Sequence, residues 1–363
     1  MSKDNRPSYG GQAVIEGVLM RGPGNMVLSV RDPDGNIVSL ARKVESLTDK
    51  SRFARLPIVR GAVSFWESLS LGINILMKSA EIASPEDEKP SDNALTVAVA
   101  FAMVIGLGLF VILPSFGTAA LMKFASLSGR YWVTFIESSL RMLLLVGYVV
   151  AISRMKDIQR VLEYHGAEHK VIWAFEKHPF RLERLLDCRC VQADGGSKCS
   201  EDVQNGHDNR FDENGLEAAV EFLAEKAKPE STLHPRCGTS LLFIAVLVTW
   251  ILFLFISPKS ILIRIISRIA MLPVVAGIAY EVLKHSARRE GAIWGLVKAP
   301  GIAMQKLTTR EPDKGQLRVA ATSLVLLIAE EHGLEFLATA GQNSKFRRIT
   351  EEPVTGSDFK EKE

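Results

Sequence analysis

The chain has 363 residues, of which 47% are hydrophobic and 23% are charged, and its formal net charge is +3 at neutral pH. So mild a charge balance is not that of a nucleic-acid-binding protein, and four cysteines do not form the disulfide framework of a small secreted domain. The length allows two domains or one domain with insertions. Because the apolar residues are concentrated in blocks, the composition favours a membrane protein.

The N-terminal region combines a glycine-rich stretch with a hairpin pattern. Residues 1–9 lack an apolar segment, so the N-terminus is expected in the cytosol. Residues 10–23 read GGQAVIEGVLMRGP, with Glu16 and Arg21 as the only charges. Two interpretations stay open: either residue supports a functional site, or an ion pair holds a structural turn. Alternating apolar residues on both sides of 32–35 (DPDG) then predict a small N-terminal β-hairpin.

A long helix is predicted next. Pro57 is suited to the first helical position, and the apolar pattern over 58–82 is long enough for about seven turns. This helix lies either on the membrane surface or in the core of the soluble part. The polar segment 84–92 reads as a linker, which completes a cytosolic N-terminal region at 1–92.

Four apolar segments predict about four transmembrane helices in a mainly α-helical membrane protein. A stretch without charge from Asn93 to Met122 exceeds the roughly twenty residues that cross a bilayer, which places the first span near 95–115. The second span covers about 132–153, so the first two occupy 93–153. The third and fourth, at about 237–258 and 261–283, occupy 237–285. Pro114 and Gly117 are expected to end or bend the first span, and Pro273 and Gly277 are expected to loosen the fourth.

Charged residues near the spans predict their orientation. Basic residues follow the second span (Arg154, Lys156, Arg160) and the fourth (Lys284, Arg288, Arg289). By the positive-inside rule, both termini and segment 154–236 face the cytosol. Inside the second span, Glu137 is expected to pair with an arginine of the fourth span, because charges at this depth need partners.

The segment 161–174 reads VLEYHGAEHKVIWA and contains His165, Glu168 and His169 in the spacing H-x-x-E-H. On a helix, residues four apart project to the same side, so both imidazoles can bind one ion on the apolar face. The pattern matches the inverted zincin motif, in which the histidines hold Zn²⁺ and the glutamate is the general base. The alternative is a pair of core histidines hydrogen-bonded to carboxylates or backbone carbonyls.

A catalytic zinc takes three protein ligands, so a third donor is needed. Residues 231–238, STLHPRCG, offer His234 as the first choice and Cys237 as the second, both just before the third span. The alternative for His234 is a surface histidine in a helix-entry loop. Glu281, at the inner end of the fourth span, is a possible supporting residue.

Two regions are expected to lie outside the site. Residues 187–214 read as a variable surface loop, and its cysteines (Cys188, Cys190, Cys199) have a spacing that fits none of the usual zinc patterns. The C-terminal region 286–363 is expected to be a cytosolic tail with one helix, near 316–331. The last twenty residues are expected to be disordered.

Five separate blocks, in order, resemble the bacterial YqhQ family between about Gly10 and about Leu327. They read GGQAVIEGVLMRGP, EYHGAEHKVI, STLHPRCGTSLL, LPVVAGIAYE and LTTREPDKGQL. The resemblance implies an integral protein of the bacterial inner membrane, of unknown function, which is commonly labelled a predicted metal-dependent enzyme. It also implies a divalent metal for His165, Glu168 and His169, but no substrate. The loop 187–214 is longer than the family pattern.

Two functions follow as hypotheses. The first is a hydrolase at the cytosolic membrane surface, with a divalent metal of zinc type and Glu168 as base, acting on a peptide bond of a membrane protein or on a lipid-linked ester. The second is a non-catalytic assembly or regulatory protein, in which the metal clamps the cytosolic segment to the spans. The lipid bilayer is the expected partner in both, nucleic acid in neither, and the oligomeric state stays open.

Overall fold

The computed structural model describes residues 9–44, 55–85, 92–124, 129–178, 210–211, 213–235, 237–255, 260–287, 291–336 and 346–350, together with 47, 87 and 289. Most of the predicted loop 187–214, including its three cysteines, lies outside the described residues. Among these residues, five strands form one sheet, and six of the eleven helices lie in the second half of the chain.

The N-terminal sheet contains β1 (Gly10–Val14), β2 (Gly17–Arg21), β3 (Asn25–Arg31), β4 (Ile37–Lys43) and β7 (Phe346–Thr350). The order is β1-β2-β3-β4-β7, with β1 to β4 antiparallel and β7 parallel to β4. The predicted hairpin is confirmed as β3–β4, where Asp32 Oδ1 accepts the backbone N–H of Asn36 at 2.8 Å. Strand β7 corrects the prediction of disorder over the last twenty residues. A two-stranded pair, β5 (Arg210–Phe211) and β6 (Glu335–Phe336), lies apart.

The helices are α1 (Pro57–Ala83), α2 (Asp92–Leu107), α3 (Leu113–Phe124), α4 (Arg130–Ile152), α5 (Lys156–Lys177), α6 (Glu213–Ala227), α7 (Thr239–Phe255), α8 (Ile261–Ala270), α9 (Leu272–Ala287), α10 (Ala292–Thr308) and α11 (Lys314–Glu331). A π-helical turn, Gly108–Ile112, joins α2 to α3. The predicted helix from Pro57 is confirmed as α1. The C-terminal region has two helices rather than the single one predicted, because apolar α10 packs against α7.

The soluble part has three layers. Helix α1 covers one face of the sheet, with Ile75 packed among Leu28, Leu40 and other strand residues. Helices α5, α6 and α11 cover the opposite face and form the main core. The hydroxyl of Ser323 on α11 donates to the carbonyl of Val27 on β3 at 2.7 Å, which fixes the helix across the sheet.

Among the described residues, two to three helices are candidates to cross a membrane. Asn93–Phe124 and Trp132–Ile152 are long and apolar enough, and α8 and α9 make a third only if the bent pair is one span. The bend of 45° follows Met271, before Pro273, as predicted. Helix α7 has 17 residues, short of the roughly twenty that a span needs, so the predicted four spans are not established.

The first span does not end at Pro114. A proline inside a helix lacks its N–H, and its ring clashes with the carbonyl four residues earlier. The π-helical turn Gly108–Ile112 lies directly before Pro114 and widens the helix at that point. The helix therefore continues to Phe124 instead of stopping where the sequence suggested.

Candidate metal centre

Helix α5 carries the H-x-x-E-H motif on its buried side. The neighbouring residues Tyr164, Ala167 and Val171 belong to the main core, which holds the helix against the sheet and α11. The rings of His165 and His169 lie one turn apart, with centroids separated by 4.5 Å. The structure thus places the two imidazoles side by side, as the spacing predicted.

Backbone carbonyls orient both histidines. His165 Nδ1 lies 2.7 Å from the carbonyl oxygen of Thr308, and His169 Nδ1 lies 2.5 Å from that of Thr232. Since a carbonyl only accepts, each Nδ1 carries the proton, and each Nε2 is left with its lone pair available. Metal-binding histidines are usually fixed in this way, with the second nitrogen donating to a carbonyl or carboxylate.

Cys237 brings a thiol to the two Nε2 atoms, and its S–H donates a hydrogen bond to His165 Nε2. Its Sγ lies 3.2 Å from His165 Nε2, and one donor atom from each of His165, His169 and Cys237 lies within 4.8 Å of the others. Ligand distances of about 2.0–2.3 Å around a tetrahedral zinc separate the donor atoms by about 3.5 Å. Neutral imidazoles and a cysteine sulfur are donors that zinc prefers, so the residues present fit such an ion after a small contraction.

Glu168 is buried under strand β1, and its carboxylate is not one of the three donors that lie within 4.8 Å of one another. The backbone N–H of Gly11 donates to its carboxylate, and a Cβ on Gly11 would lie 3.0 Å from the Glu168 side chain and 2.6 Å from the carbonyl oxygen of Leu19. Only glycine fits there, which explains part of the glycine-rich stretch. Burial raises the pKa of Glu168, while His165, His234 and the Gly11 N–H act in the opposite direction.

His234, the first choice for the third ligand, lies beside the three-donor set and not in it. Its ring centroid is 5.7 Å from that of His169, and its Nε2 is 3.8 Å from an oxygen of Glu176. Burial lowers the pKa of His234 to about 4, against a weaker opposing effect of Glu168. Burial also lowers the pKa of His169, so both imidazoles are neutral at physiological pH.

Gln305 on α10 holds the backbone that leads to Cys237. Its side-chain oxygen accepts the N–H of His234 at 2.8 Å, and its amide nitrogen donates to the carbonyl of His234 at 2.8 Å. Trp173 Nε1 also donates to the carbonyl of Leu233 at 2.9 Å. The sequence did not point to Gln305, because no helix was predicted at α10. The carbonyls that orient the histidines could not be predicted either, because every residue has a backbone carbonyl.

The three possible supporting residues lie in different places. Glu16 adopts a positive φ of 52° in the turn between β1 and β2, where it pairs with Arg160 and accepts from the Tyr164 hydroxyl at 3.2 Å. This favours the structural interpretation, although the partner is Arg160 and not Arg21. Arg21 ends β2 opposite Gly10, and no bond to the donor set is found among the described residues.

Glu281 lies away from the three-donor set. Its carboxylate forms a bidentate ion pair with Arg60 of α1, with nitrogen–oxygen distances of 2.7 and 2.9 Å. This ion pair joins α1 to α9. The two helices also contact each other where Gly61 of α1 faces Gly277 of α9. Glu281 therefore supports the packing of the long N-terminal helix and does not reach the imidazoles.

The family profile described as "Protein of unknown function (DUF1385)" matches residues 56–191 and 214–330. The chain belongs to this family. It is 29% identical to "Uncharacterized protein YqhQ" of Bacillus subtilis (strain 168), over 93% of this chain and 96% of the relative, which confirms the resemblance to the YqhQ family. The profile leaves out 192–213, most of the loop that was expected to be longer than the family pattern. No solved structure gives a significant match.

Proposed function

We propose that this protein is a metal-dependent enzyme of the bacterial inner membrane, and that it hydrolyses its substrate at the cytosolic membrane surface. A divalent ion of zinc type would be held by His165, His169 and Cys237. One observation carries the proposal: both imidazoles donate Nδ1–H to carbonyls and leave Nε2 for the side of the thiol. Bonds from Nδ1 to carbonyls alone would also suit core histidines, and it is the Cys237 thiol close to both rings that favours a metal.

The donor set leaves room for chemistry. Three protein ligands are the number found in catalytic zinc sites, where the fourth position stays open. When bound, such an ion supplies Lewis acidity and makes water a nucleophile near neutral pH. Glu168, one turn from His165, has a pKa raised by burial, and a carboxyl whose pKa lies closer to neutral is a better general base and acid.

Charge balance also favours a divalent cation. When they bind a metal, a thiolate at Cys237 and a carboxylate at Glu168 would together carry two negative charges in a buried place, where isolated charges are strongly unfavourable. Imidazoles bind a metal in their neutral form and add no charge. One divalent cation would make the whole centre electrically neutral.

The position of the centre suggests a substrate at the membrane. Helix α5 begins four residues after the end of the span Trp132–Ile152, and Cys237 precedes apolar α7 by two residues. The donor atoms therefore lie on segments that directly adjoin the ends of two apolar helices. In our proposal this is the cytosolic face of a four-span protein with both termini in the cytosol, and α7, about 25 Å long, is a tilted or short span. A peptide bond of a membrane protein or a lipid-linked ester would be the substrate.

A structural metal clamp is the second candidate. The donor atoms connect α5 to the segment before α7, and their carbonyl partners lie at Thr232 and at the end of α10. An ion at this junction would join the soluble core to the membrane helices. Glu168 would then be a fourth ligand and would close the site.

Zinc content and ligand exchange in Glu168→Gln separate the two candidates. For the enzyme, we expect Glu168→Gln to keep its zinc, and the cobalt-substituted protein to change its visible spectrum when azide is added. Glu163→Gln is the matched control, since Glu163 is on the same helix and accepts from Gln316. Loss of zinc from Glu168→Gln, with a cobalt spectrum that azide does not alter, would favour the clamp and contradict the enzyme.

A further inference from the structure

A second cluster of charges lies inside the membrane helices. Glu137 on α4 is fully buried and accepts from Arg268 of α8 at 2.9 Å, from Arg141 at 2.8 Å and from Ser115 at 3.1 Å. Arg264 lies 4.0 Å from the same carboxylate. The predicted pairing of Glu137 with an arginine of the fourth apolar segment is confirmed, but three arginines meet the one glutamate.

The cluster therefore carries excess positive charge. Within the described part of these helices, three guanidinium groups and one carboxylate sum to +2, and Glu137 is the only acidic residue in α3, α4, α7 and α8, which pack together here. Unbalanced charge in an apolar environment is strongly destabilising. A further anion is the simplest compensation.

Arg268 has hydrogen-bonding capacity left over. Its side chain is 3% exposed and stacks on Phe253, with Cζ 3.8 Å from the ring centroid. Only Nη2 reaches Glu137, and its buried Nε and Nη1 have no hydrogen-bond partner among the described residues, nor does Nε of Arg141. Buried guanidinium groups are normally satisfied, and a phosphate presents oxygens that match their fork of donors.

The depth of the cluster fits a ligand at the membrane boundary. Glu137 is five residues from Trp132, or about 8 Å along the helix. Trp132 is 54% exposed at the start of the span, the level at which tryptophan marks the membrane–water interface. The arginines are reachable there, since the side chains of Arg141 and Arg264 keep 12% and 10% exposure.

This boundary is opposite the metal centre. Helix α4 runs about 34 Å from the end near Trp132 to the end that leads into α5, a full membrane thickness. The charge cluster is therefore a separate site. Its ligand does not depend on the metal or on the reaction proposed above.

We propose that Arg141, Arg264 and Arg268 bind a phosphate anion at this boundary, either the phosphate of an anionic phospholipid headgroup or a free phosphate ion. Glu137 holds the three guanidinium groups together and also limits their net charge. Replacing Glu137 by a neutral residue should therefore strengthen phosphate binding, whereas a purely structural ion network would only be weakened.

The full-length protein in nanodiscs tests this proposal. The thermal unfolding midpoint would be compared in phosphatidylcholine alone, in phosphatidylcholine with phosphatidylglycerol, and in phosphatidylcholine with added inorganic phosphate. We expect an anion-dependent rise in the midpoint, and native mass spectrometry should find retained phosphatidylglycerol if the lipid is the source. A rise with inorganic phosphate alone would identify the free ion as the ligand.

Three variants make the result specific. Arg268→Gln should abolish the rise, and Glu137→Gln should produce it at about tenfold lower anion concentration, the effect of gaining one charge-assisted interaction. Lys123→Gln, an exposed charge near the same boundary, is the control and should behave like the wild type. If either variant does not fold, the wild type still decides, because a midpoint that neither phosphatidylglycerol nor inorganic phosphate raises contradicts the proposal.

Two outcomes would overturn the proposal. One is a midpoint that no anion changes, in the wild type and in Glu137→Gln. The other is loss of the rise in Lys123→Gln, which would show general surface attraction and would contradict a site at Arg268.

Discussion

Acidification of the metal-free protein tests whether His234 is buried as a neutral imidazole. Its pKa is about 4 in the folded protein and 6.5 ordinarily. The unfolded chain binds the proton more readily, so stability is complete above about pH 6.5, declines as the pH falls to about 4, and changes no further below. At about pH 5 the contribution lost is about 2 kcal/mol, from the ratio of the two protonation terms.

The measurement is denaturant or thermal unfolding of the chelator-treated protein in detergent, at about pH 7 and about pH 5. His234→Gln keeps the backbone bonds to Gln305 and removes the titrating ring. We expect the variant to lose about 2 kcal/mol less than the wild type on acidification. The contributions of His169 and Glu168 are present in both proteins and largely cancel. An equal loss in both proteins would refute the burial argument.

Two further predictions concern packing, one beside the metal centre and one between α1 and α9. Gln305→Ala leaves a buried N–H and carbonyl of His234 without these partners, so we expect the free energy of unfolding to fall by about 1–3 kcal/mol in thermal unfolding. We also expect zinc to bind about tenfold more weakly in competition titrations. Unchanged zinc affinity would contradict a positioning role for Gln305. Gly61→Ala puts a Cβ 2.6 Å from the carbonyl oxygen of Gly277, so we expect the free energy of unfolding to fall by about 1–3 kcal/mol. Gly295→Ala places its Cβ in open space within a helix and should raise the free energy of unfolding by up to about 1 kcal/mol. Shifts of the same sign would contradict the close packing of α1 on α9.

Local patterns predicted the elements that depend on local physics. The hairpin at Asp32, the helix from Pro57 and the helical side shared by His165 and His169 follow from turn residues and side-chain period. The pairing of Glu137 with a span-four arginine followed from the need to compensate a buried charge. Each of these predictions depends either on residues close together in the sequence or on the large free-energy cost of an uncompensated buried charge.

Non-local contacts could not be predicted in the same way. Residue spacing does not predict the direction in which a side chain points, so nothing in the sequence favoured Cys237 over His234 as the third donor. In the structure, Gln305 holds the backbone at His234, and Cys237 is the residue whose thiol lies near both imidazoles. Strand β7 pairs with β4 across about three hundred residues, and a polar tail gives no sign of that partner. Four spans were predicted and two to three candidates are found among the described residues, because hydropathy does not reveal the angle of the bend at Met271 or the 17-residue length of α7.

Metal content tests the central claim most directly. Elemental analysis of the purified full-length protein should find one zinc-type ion per chain in the wild type and in His234→Gln, and close to none in His165→Ala and Cys237→Ser. A wild type that contains no metal after purification with zinc present would contradict the account. So would a His165→Ala protein that keeps the same content.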